Sequence, residues 1–182
     1  TLDDVERELL AADTVVSDSK KPLVIAGIMG GLESGVTENT TKIFIEAANW
    51  QDVEVRKTST RLGLRTDSSQ RYEKCLDTAL IERTVLRILE LVLDICPTAK
   101  VVGGLVSDGI QVKDELNIDI SVEHINNILG ETLSSDRISK ILEDLDFKVK
   151  GSGNKLKVTV PTYRATKDIE YECDIIEEIG RI

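Results

Sequence analysis

Hydrophobic positions come in short runs in the N-terminal part of the chain and at helical spacing from Asp52 onward. Thr1 to Asp13 is polar and reads as a ribbon or loop. Thr14-Val15-Val16-Ser17 reads as a short strand, and Lys21 to Ala26, rich in Val and Ile, as a second. Gly27 and Met29-Gly30-Gly31 break the pattern and predict a turn whose bare backbone another group can approach closely. Ser34 to Thr41 is full of turn formers. Lys42 to Ala48 returns as a strand, in which Ile43-Phe44-Ile45 carries Glu46 into apolar company. Val53, Val55, Leu62 and Leu64 then suit a helix ending near Gly63. The polar run Leu62 to Glu73 contains the cap residues Thr66, Asp67, Ser68 and Ser69 and is expected to open a long helix. Asp77 to Cys96 is the strongest helical pattern. Leu80, Ile81, Val85, Ile88, Leu89, Val92 and Leu93 cover much of its circumference, which predicts a largely buried helix stopped by Pro97. Lys100 to Val106, with paired glycines, reads as a strand.

Near Gly109 the organisation resets, which places a boundary between Ser107 and Lys113 and divides the chain into 1–108 and 109–182. Gln111 to Ile120 reads as a strand or an extended linker, with Leu116, Ile118 and Ile120 alternating. Ser121 caps a helix carrying Val122, Ile125, Ile128 and Leu129 and ended by Gly130. Ser134 or Ser135 caps another, with Ile138, Ile141, Leu142 and Leu145 at i, i+3, i+4 and i+7. Phe147-Lys148-Val149, a Gly-Ser-Gly-Asn turn and Leu156 to Val160 make a hairpin ended by Pro161. A final helix begins near Glu170 and runs to Ile182. Helices and strands segregated in this way predict an α+β fold. Two capped helices followed by a hairpin predict that its second part is a winged-helix-like unit of the kind that binds DNA. There is no internal repeat and no low-complexity segment.

The 182 residues suffice for one ordinary domain or two small ones. With 41% hydrophobic residues and no apolar run of spanning length, a globular protein away from membranes is expected. No charged-then-apolar leader with a cleavage site opens the chain, though Thr1 reads as the start of a fragment, and reduced thiols at Cys75, Cys96 and Cys173 make the cytoplasm the expected compartment. A net charge of −10 argues against a stand-alone nucleic-acid binder; any such contact would be small, with a larger partner supplying the positive surface. Cys75, Cys96 and Cys173 are odd in number and match neither a zinc spacing nor a disulfide framework. His124 is the sole histidine and falls on a predicted helix with no partner histidine or cysteine near it in sequence, which argues against triad chemistry built on histidine within the chain.

Candidate chemistry is sparse. Met29-Gly30-Gly31 is followed by neither Gly-Lys-Ser nor Gly-Lys-Thr and is not G-x-G-x-x-G, which leaves a plain turn or a loop that cradles a substrate. Glu46 closes an apolar strand, where a charge is costly unless paired. It is either buried against one of Arg56, Arg61, Arg65 or Arg71, or it is a pocket acid that recognises a polar group or positions water. Arg71 and Glu73 flank Tyr72 and suit a structural role through ion pairs and hydrogen bonds. Asp168, Asp174, Glu177 and Glu178 form an acidic cluster, the last three on the terminal helix at i, i+3 and i+4. Carboxylates so placed repel and need a cation or arginines. The choice is a solvated acidic face or a magnesium or calcium site, since oxygen-only ligands suit hard cations and not zinc or copper.

Several strings carry a resemblance. Ala26-Gly27-Ile28-Met29-Gly30-Gly31, Glu46-Ala47-Ala48, Arg61 to Glu73 and Asp77 are together similar to the editing domain of bacterial phenylalanyl-tRNA synthetase beta subunits. Val158 to Arg164, Asp168 and Asp174 to Ile182 resemble the small module that follows it. The resemblance spans essentially the whole chain in order. It departs at Ser68, where the family often has alanine, at Lys74 to Thr78, and at Tyr163 to Ile169, where the family's Tyr-Arg-x-Asp-Ile is stretched.

The resemblance implies that 1–108 is the C-terminal part of a mixed-sheet editing domain whose first half, with a pocket histidine, lies upstream. It implies a subunit that works with an alpha subunit, two of each, to attach phenylalanine to its tRNA using ATP and magnesium. It also implies hydrolysis of tyrosine wrongly attached to that tRNA, whose acceptor end would be a partner. The matching editing positions are Gly30, Glu46, Thr66 and Ser68. Glu46 would accept a hydrogen bond from the tyrosine hydroxyl, Gly30 and Ser68 would leave room for the ring, and Thr66 would hold the ester end or a water, which makes Glu46 and Thr66 the expected catalytic pair. The matching metal positions are Asp168, Asp174, Glu177 and Glu178, a magnesium site shared with the alpha subunit and not expected to fill in the fragment. The rival readings are a free-standing editing deacylase and an acidic winged-helix interaction or regulatory module.

Overall fold

The computed structural model describes residues 1–109 and 114–182, so part of the expected boundary and linker, 110–113, lies outside the described residues. The chain divides into two compact units, Thr1–Ile110 and Gln111–Ile182.

In the first unit, strands β1 (Val15–Ser17), β2 (Pro22–Ile25) and β3 (Met29–Gly30) form one sheet in the order β1-β2-β3. Both pairings are antiparallel, with Val15 opposite Ile25 and Val24 opposite Gly30, so this sheet is antiparallel throughout and not mixed. The turn falls earlier than the glycine pair suggested. Gly27 takes the left-handed conformation (φ 67°) between β2 and β3, and Met29-Gly30 is strand. Helix α1 (Asp52–Leu62) ends as expected on Gly63 at φ 64°, whose N–H reaches the Ser59 and Thr60 carbonyls. Val55 from α1 joins Ile25, Ile28 and Leu64 in a small core, with Leu9, Met29, Trp50, Leu62 and Tyr72 packed against it.

Four expectations for this unit are corrected. Lys42 to Ala48 forms no strand, and Phe44 is 94% exposed. Lys100 to Val106 forms none either, and Val102 and Val106 are exposed. A strand exists only as half of a ladder, and among the described residues neither segment has a partner to bond. The polar run opens a short helix, α2 (Asp67–Tyr72), and not a long one. Cys75 sits at φ 62°, and the Asp77 carboxylate then caps a new turn at Thr78–Leu80 that leads into α3 (Ile81–Ile95). Finally, α3 buries none of its residues; Leu86 and Ile95 are 60% and 79% exposed. An apolar circumference states what a helix can bury. What covers it must come from elsewhere in the structure.

The second unit follows its sequence closely. Strand β4 (Asn117–Ser121) is followed by α4 (Val122–Leu129), α5 (Ser135–Asp144), the hairpin β5 (Lys148–Ser152) and β6 (Lys155–Thr159), and α6 (Glu172–Gly180). The sheet is antiparallel in the order β4-β6-β5. Ile118 and Ile120 on β4 and Leu156 and Val158 on β6 point to one face, as alternation requires, and meet Ile125, Ile138, Leu142, Phe147 and Ile175 there. The Ser121 and Ser134 hydroxyls accept from the His124 and Arg137 amides, and Gly130 ends α4 at φ 71°. Asn126 clamps the following loop by donating to the Leu133 carbonyl and accepting from its amide, both at 3.0 Å. Among the described residues no helix is long and apolar enough to cross a membrane.

Candidate functional site

The N-terminus of α2 is stitched to the β2–β3 turn. Thr66 caps α2: its hydroxyl accepts from the Ser69 amide at 3.0 Å, while the buried Ser69 hydroxyl accepts from the Thr66 amide at 3.0 Å. The same Thr66 hydroxyl donates to the Ile28 carbonyl at 2.8 Å. Two residues on, the Ser68 hydroxyl donates to the Gly27 carbonyl at 2.9 Å. Both hydroxyls therefore aim at the turn that leads into Gly30. A cap had to be a short oxygen side chain for the helix to begin there, and in this fold the two hydroxyls also dock that helix onto the sheet.

Gly27 is where the turn is approached most closely. A Cβ at this position would lie 2.8 Å from Trp50 Cδ1 and 3.2 Å from Tyr72 Cγ, so both rings pack over bare backbone. Sequence reasoning assigned no role to Trp50 or Tyr72. The signal available was a sole tryptophan and a cap-adjacent tyrosine near glycine in a turn-rich stretch. Gly30 lies beyond the turn with its carbonyl accepting from the Leu2 amide at 3.0 Å, and a Cβ there would lie 3.1 Å from Leu2 Cδ1. The space expected beside Gly30 is thus lined by Leu2.

Glu46 lies in irregular chain between these pieces. Arg61 pairs with Asp13, and Arg65 reaches Glu73 at 3.4 Å; among the described residues no cation pairs with Glu46. The residue as a whole is exposed, yet partial burial of its carboxyl pushes the pKa above the ordinary glutamate value. The Tyr72 phenol is pushed up as well, first by burial and then by the negative charge of Glu46. Gly27, Thr66, Ser68, Tyr72 and Trp50 are thus drawn to one turn, which leads into Gly30, and the charge of Glu46 is felt at Tyr72. A carboxylate with raised proton affinity and no counter-ion can accept a hydrogen bond from a hydroxyl or take and return a proton.

The acidic cluster of the second unit resolves through arginines. Arg164 forks onto Glu178, with Nη2 3.0 Å from Oε1 and Nη1 donating to Oε2 at 3.2 Å; the Glu178 side chain is only 4% exposed. The Arg164 Nε donates to Asp168, and the guanidinium lies over the Phe147 ring at 5.8 Å. Hydrogen bonds to Glu178 and then Asp168 hold the guanidinium above its ordinary pKa. Arg181 adds a second cation to Glu178 at 3.4 Å. The Asp174 carboxylate accepts from the Glu170 and Tyr171 amides at 2.8 Å each and so caps α6, which lowers its pKa. Glu177 is exposed on its own. Among the described residues no three acidic, histidine or cysteine side chains converge on a point that could hold a metal. Asp168, Asp174, Glu177 and Glu178 are thus not gathered into a cation site by the described residues of this chain alone.

Comparison with known proteins agrees across the whole length. A family model for the B3/4 domain matches residues 1–97, and one for the tRNA synthetase B5 domain matches residues 118–182. The phenylalanine–tRNA ligase beta subunit of Protochlamydia amoebophila is 42% identical over 188 residues, covering 100% of this chain and 22% of that protein. The beta subunits of Carboxydothermus hydrogenoformans and Solibacter usitatus are 40% and 35% identical over 182 residues, again covering 100% of this chain, with 22% and 24% of the relatives matched. The chain thus spans under a quarter of the length of the curated relatives it matches.

Proposed function

Because the chain belongs to the B3/4 domain family and continues into a tRNA synthetase B5 domain, we propose that it works as a segment of the beta subunit of a phenylalanine–tRNA ligase. The observation that carries this is the succession of both domains in one chain whose full length is matched by each of the beta subunits named above. On this reading, attachment of phenylalanine, with ATP and magnesium, is performed with an alpha subunit in a cytoplasmic heterotetramer. The first unit supplies part of a second, hydrolytic site that clears tyrosine from the phenylalanine tRNA.

The logic of such a site is chemical. A pocket for a phenyl ring cannot strongly reject a ring that merely adds a hydroxyl, whereas a second pocket that bonds the hydroxyl can select it. Glu46 suits that role because among the described residues no cation pairs with it and its carboxyl is partly desolvated. The Thr66 and Ser68 hydroxyls hold the Gly27–Ile28 backbone against α2 and so keep Gly30 in place. Both are half-buried, and the Ser68 oxygen, its proton given to the Gly27 carbonyl, can still accept a hydrogen bond from a water. The second unit we read as winged-helix-like, supported by its order of two capped helices and a hairpin.

The test uses the complete beta subunit with its alpha partner. Glu46→Ala and Gly30→Trp should slow deacylation of Tyr-tRNA while phenylalanine attachment continues at the parental rate. Equal loss of both activities would mark a folding defect, and unchanged deacylation would remove these residues from the site.

A further inference from the structure

The stretch that carries Glu46 is anchored at its C-terminal end. Among the described residues no backbone group from Lys42 to Asn49 makes a backbone hydrogen bond, because the stretch joins neither sheet. Ile43 and Phe44 are exposed, whereas Ala47, Ala48, Asn49 and Trp50 are half-buried. Two side chains hold that inner end. The Trp50 ring packs over Gly27, and the Asn49 side-chain amide donates to the Leu76 carbonyl at 3.0 Å. Among the described residues this amide makes the one hydrogen bond formed between Lys42 and Trp50.

The point that Asn49 grips is itself held. Leu76 follows Cys75, which sits left-handed at φ 62°, and precedes Asp77, whose carboxylate accepts from the Ala79 amide at 2.9 Å. Leu76 also lies just beyond Tyr72, the last residue of α2, where the charge of Glu46 is felt. The two grips reach different places: Trp50 the β2–β3 turn, Asn49 the exit from α2. One attachment fixes the position of a chain; two fix its direction, and Glu46 stands three residues upstream of the second. Satisfying the Leu76 carbonyl does not account for the bond. It lies on an exposed turn, where water serves a backbone acceptor as well, so the bond contributes little to global stability. What it supplies is placement. An untethered stretch spreads over many conformations, whereas a group that selects or reacts must be held to within about 1 Å.

We propose that Asn49 is a positioning residue of the hydrolytic site: its amide, gripping the Leu76 carbonyl, fixes the place from which the Glu46 carboxylate selects the tyrosine hydroxyl. The proposal rests on the reading of Glu46 as the acid of that site and adds the group that holds it there. Asparagine suits the task because its nitrogen carries two donors on a short stem. Leucine fills a similar space with no donor, and aspartate would set a second oxygen against the carbonyl.

Asn49→Leu keeps the bulk and removes the donor, and it is read in two ways. In the 182-residue chain, the Glu46 carboxyl titrated by NMR should fall toward the ordinary glutamate value as the freed stretch becomes hydrated, with little change in melting temperature. In the complete beta subunit with its alpha partner, the preference for clearing Tyr-tRNA over Phe-tRNA should drop by about tenfold to a hundredfold, with phenylalanine attachment as the control for assembly. In a Glu46→Ala background the same substitution should cost nothing further, since it acts through Glu46. An unchanged Glu46 titration would overturn the proposal. So would an equal loss of Tyr-tRNA clearance with and without Glu46, which is what a merely structural asparagine gives. If Glu46→Ala itself leaves Tyr-tRNA clearance intact, the reading of Glu46 fails on its own account, and the titration still decides whether Asn49 places that carboxyl.

Discussion

Replacing Arg164 with methionine removes the cation that forks onto Glu178 and leaves a carboxylate whose side chain is 4% exposed. Removing one partner of a buried pair costs about 3–5 kcal/mol, because the surviving charge stays desolvated. Arg181 remains 3.4 Å away but is itself 60% exposed, so it offsets only part of that cost and puts the loss near the lower end of the range. The stacking of the guanidinium on Phe147 adds about 0.5–1 kcal/mol. The Asp168 pair adds little, since Asp168 is 47% exposed and well screened. The total is about 3–4 kcal/mol, a large share of what a small domain possesses. At about 4–8 °C per kcal/mol for a domain of this size, the second unit should melt about 12–32 °C lower. Thermal unfolding followed at the Ile175, Ile176 and Ile179 amides of α6 reads that unit directly. The partner experiment is Arg164→Met with Glu178→Leu, which removes the buried charge together with its counter-ion and should recover most of the loss. A single variant within about 1 kcal/mol of the parent, or a double variant as unstable as the single one, would refute the view that the energy of this cluster lies in the buried carboxylate.

Other consequences are smaller and separate. Asp13 is partly desolvated, which raises its pKa, but the Leu10 amide, the Thr58 hydroxyl and the Arg61 guanidinium together hold it below the ordinary aspartate value. A folded-state pKa below the unfolded one stabilises the first unit above about pH 4, and that contribution is lost as pH falls through the folded value. Asp13→Asn should therefore cost about 2 kcal/mol at neutral pH and flatten the acid limb of a stability–pH curve measured on Trp50 fluorescence. Gly31→Ala places a Cβ 2.5 Å from the Leu23 carbonyl oxygen, a backbone atom that cannot step aside without breaking the β2–β3 pairing, and should cost about 1–3 kcal/mol in urea unfolding. Asn126→Ala leaves both backbone groups of Leu133 without their partner and should cost about 1–3 kcal/mol, with faster amide exchange at Leu133.

What could be read from sequence, and what could not, divides by the range of the interaction. Ser121, Ser134, Thr66, Gly63 and Gly130 were legible because a cap is settled within four residues of itself. The second unit was legible almost throughout, since its helices and hairpin carry clean periods and bury the faces those periods define. Lys42 to Ala48 failed because strand propensity describes one half of a pair, and the ladder is a property of both. The burial of α3 failed for the same reason one level up: seven apolar positions state a demand, and nothing among the described residues meets it.

The acidic cluster makes the point most sharply. Spacing on α6 correctly posed the choice between a cation and arginines. The answer came from Arg164, which is separated from Glu178 by 14 positions and shares no element with it. No periodicity relates two such residues; only the fold that lays the segment after Pro161 beside α6 does. The Glu46 question has the same form. Its neighbours in sequence are apolar, Arg61 and Arg65 are paired with other acids, and its charge is felt at Tyr72, at the far end of α2. If Tyr72 is what keeps the Glu46 carboxyl partly desolvated, Tyr72→Leu should leave Glu46 raised, whereas Tyr72→Ala should let water in and return Glu46 toward its ordinary value, with the carboxyl titrated by NMR in each variant. A Glu46 titration that is the same in the parent and in both variants would show that the desolvation comes from elsewhere.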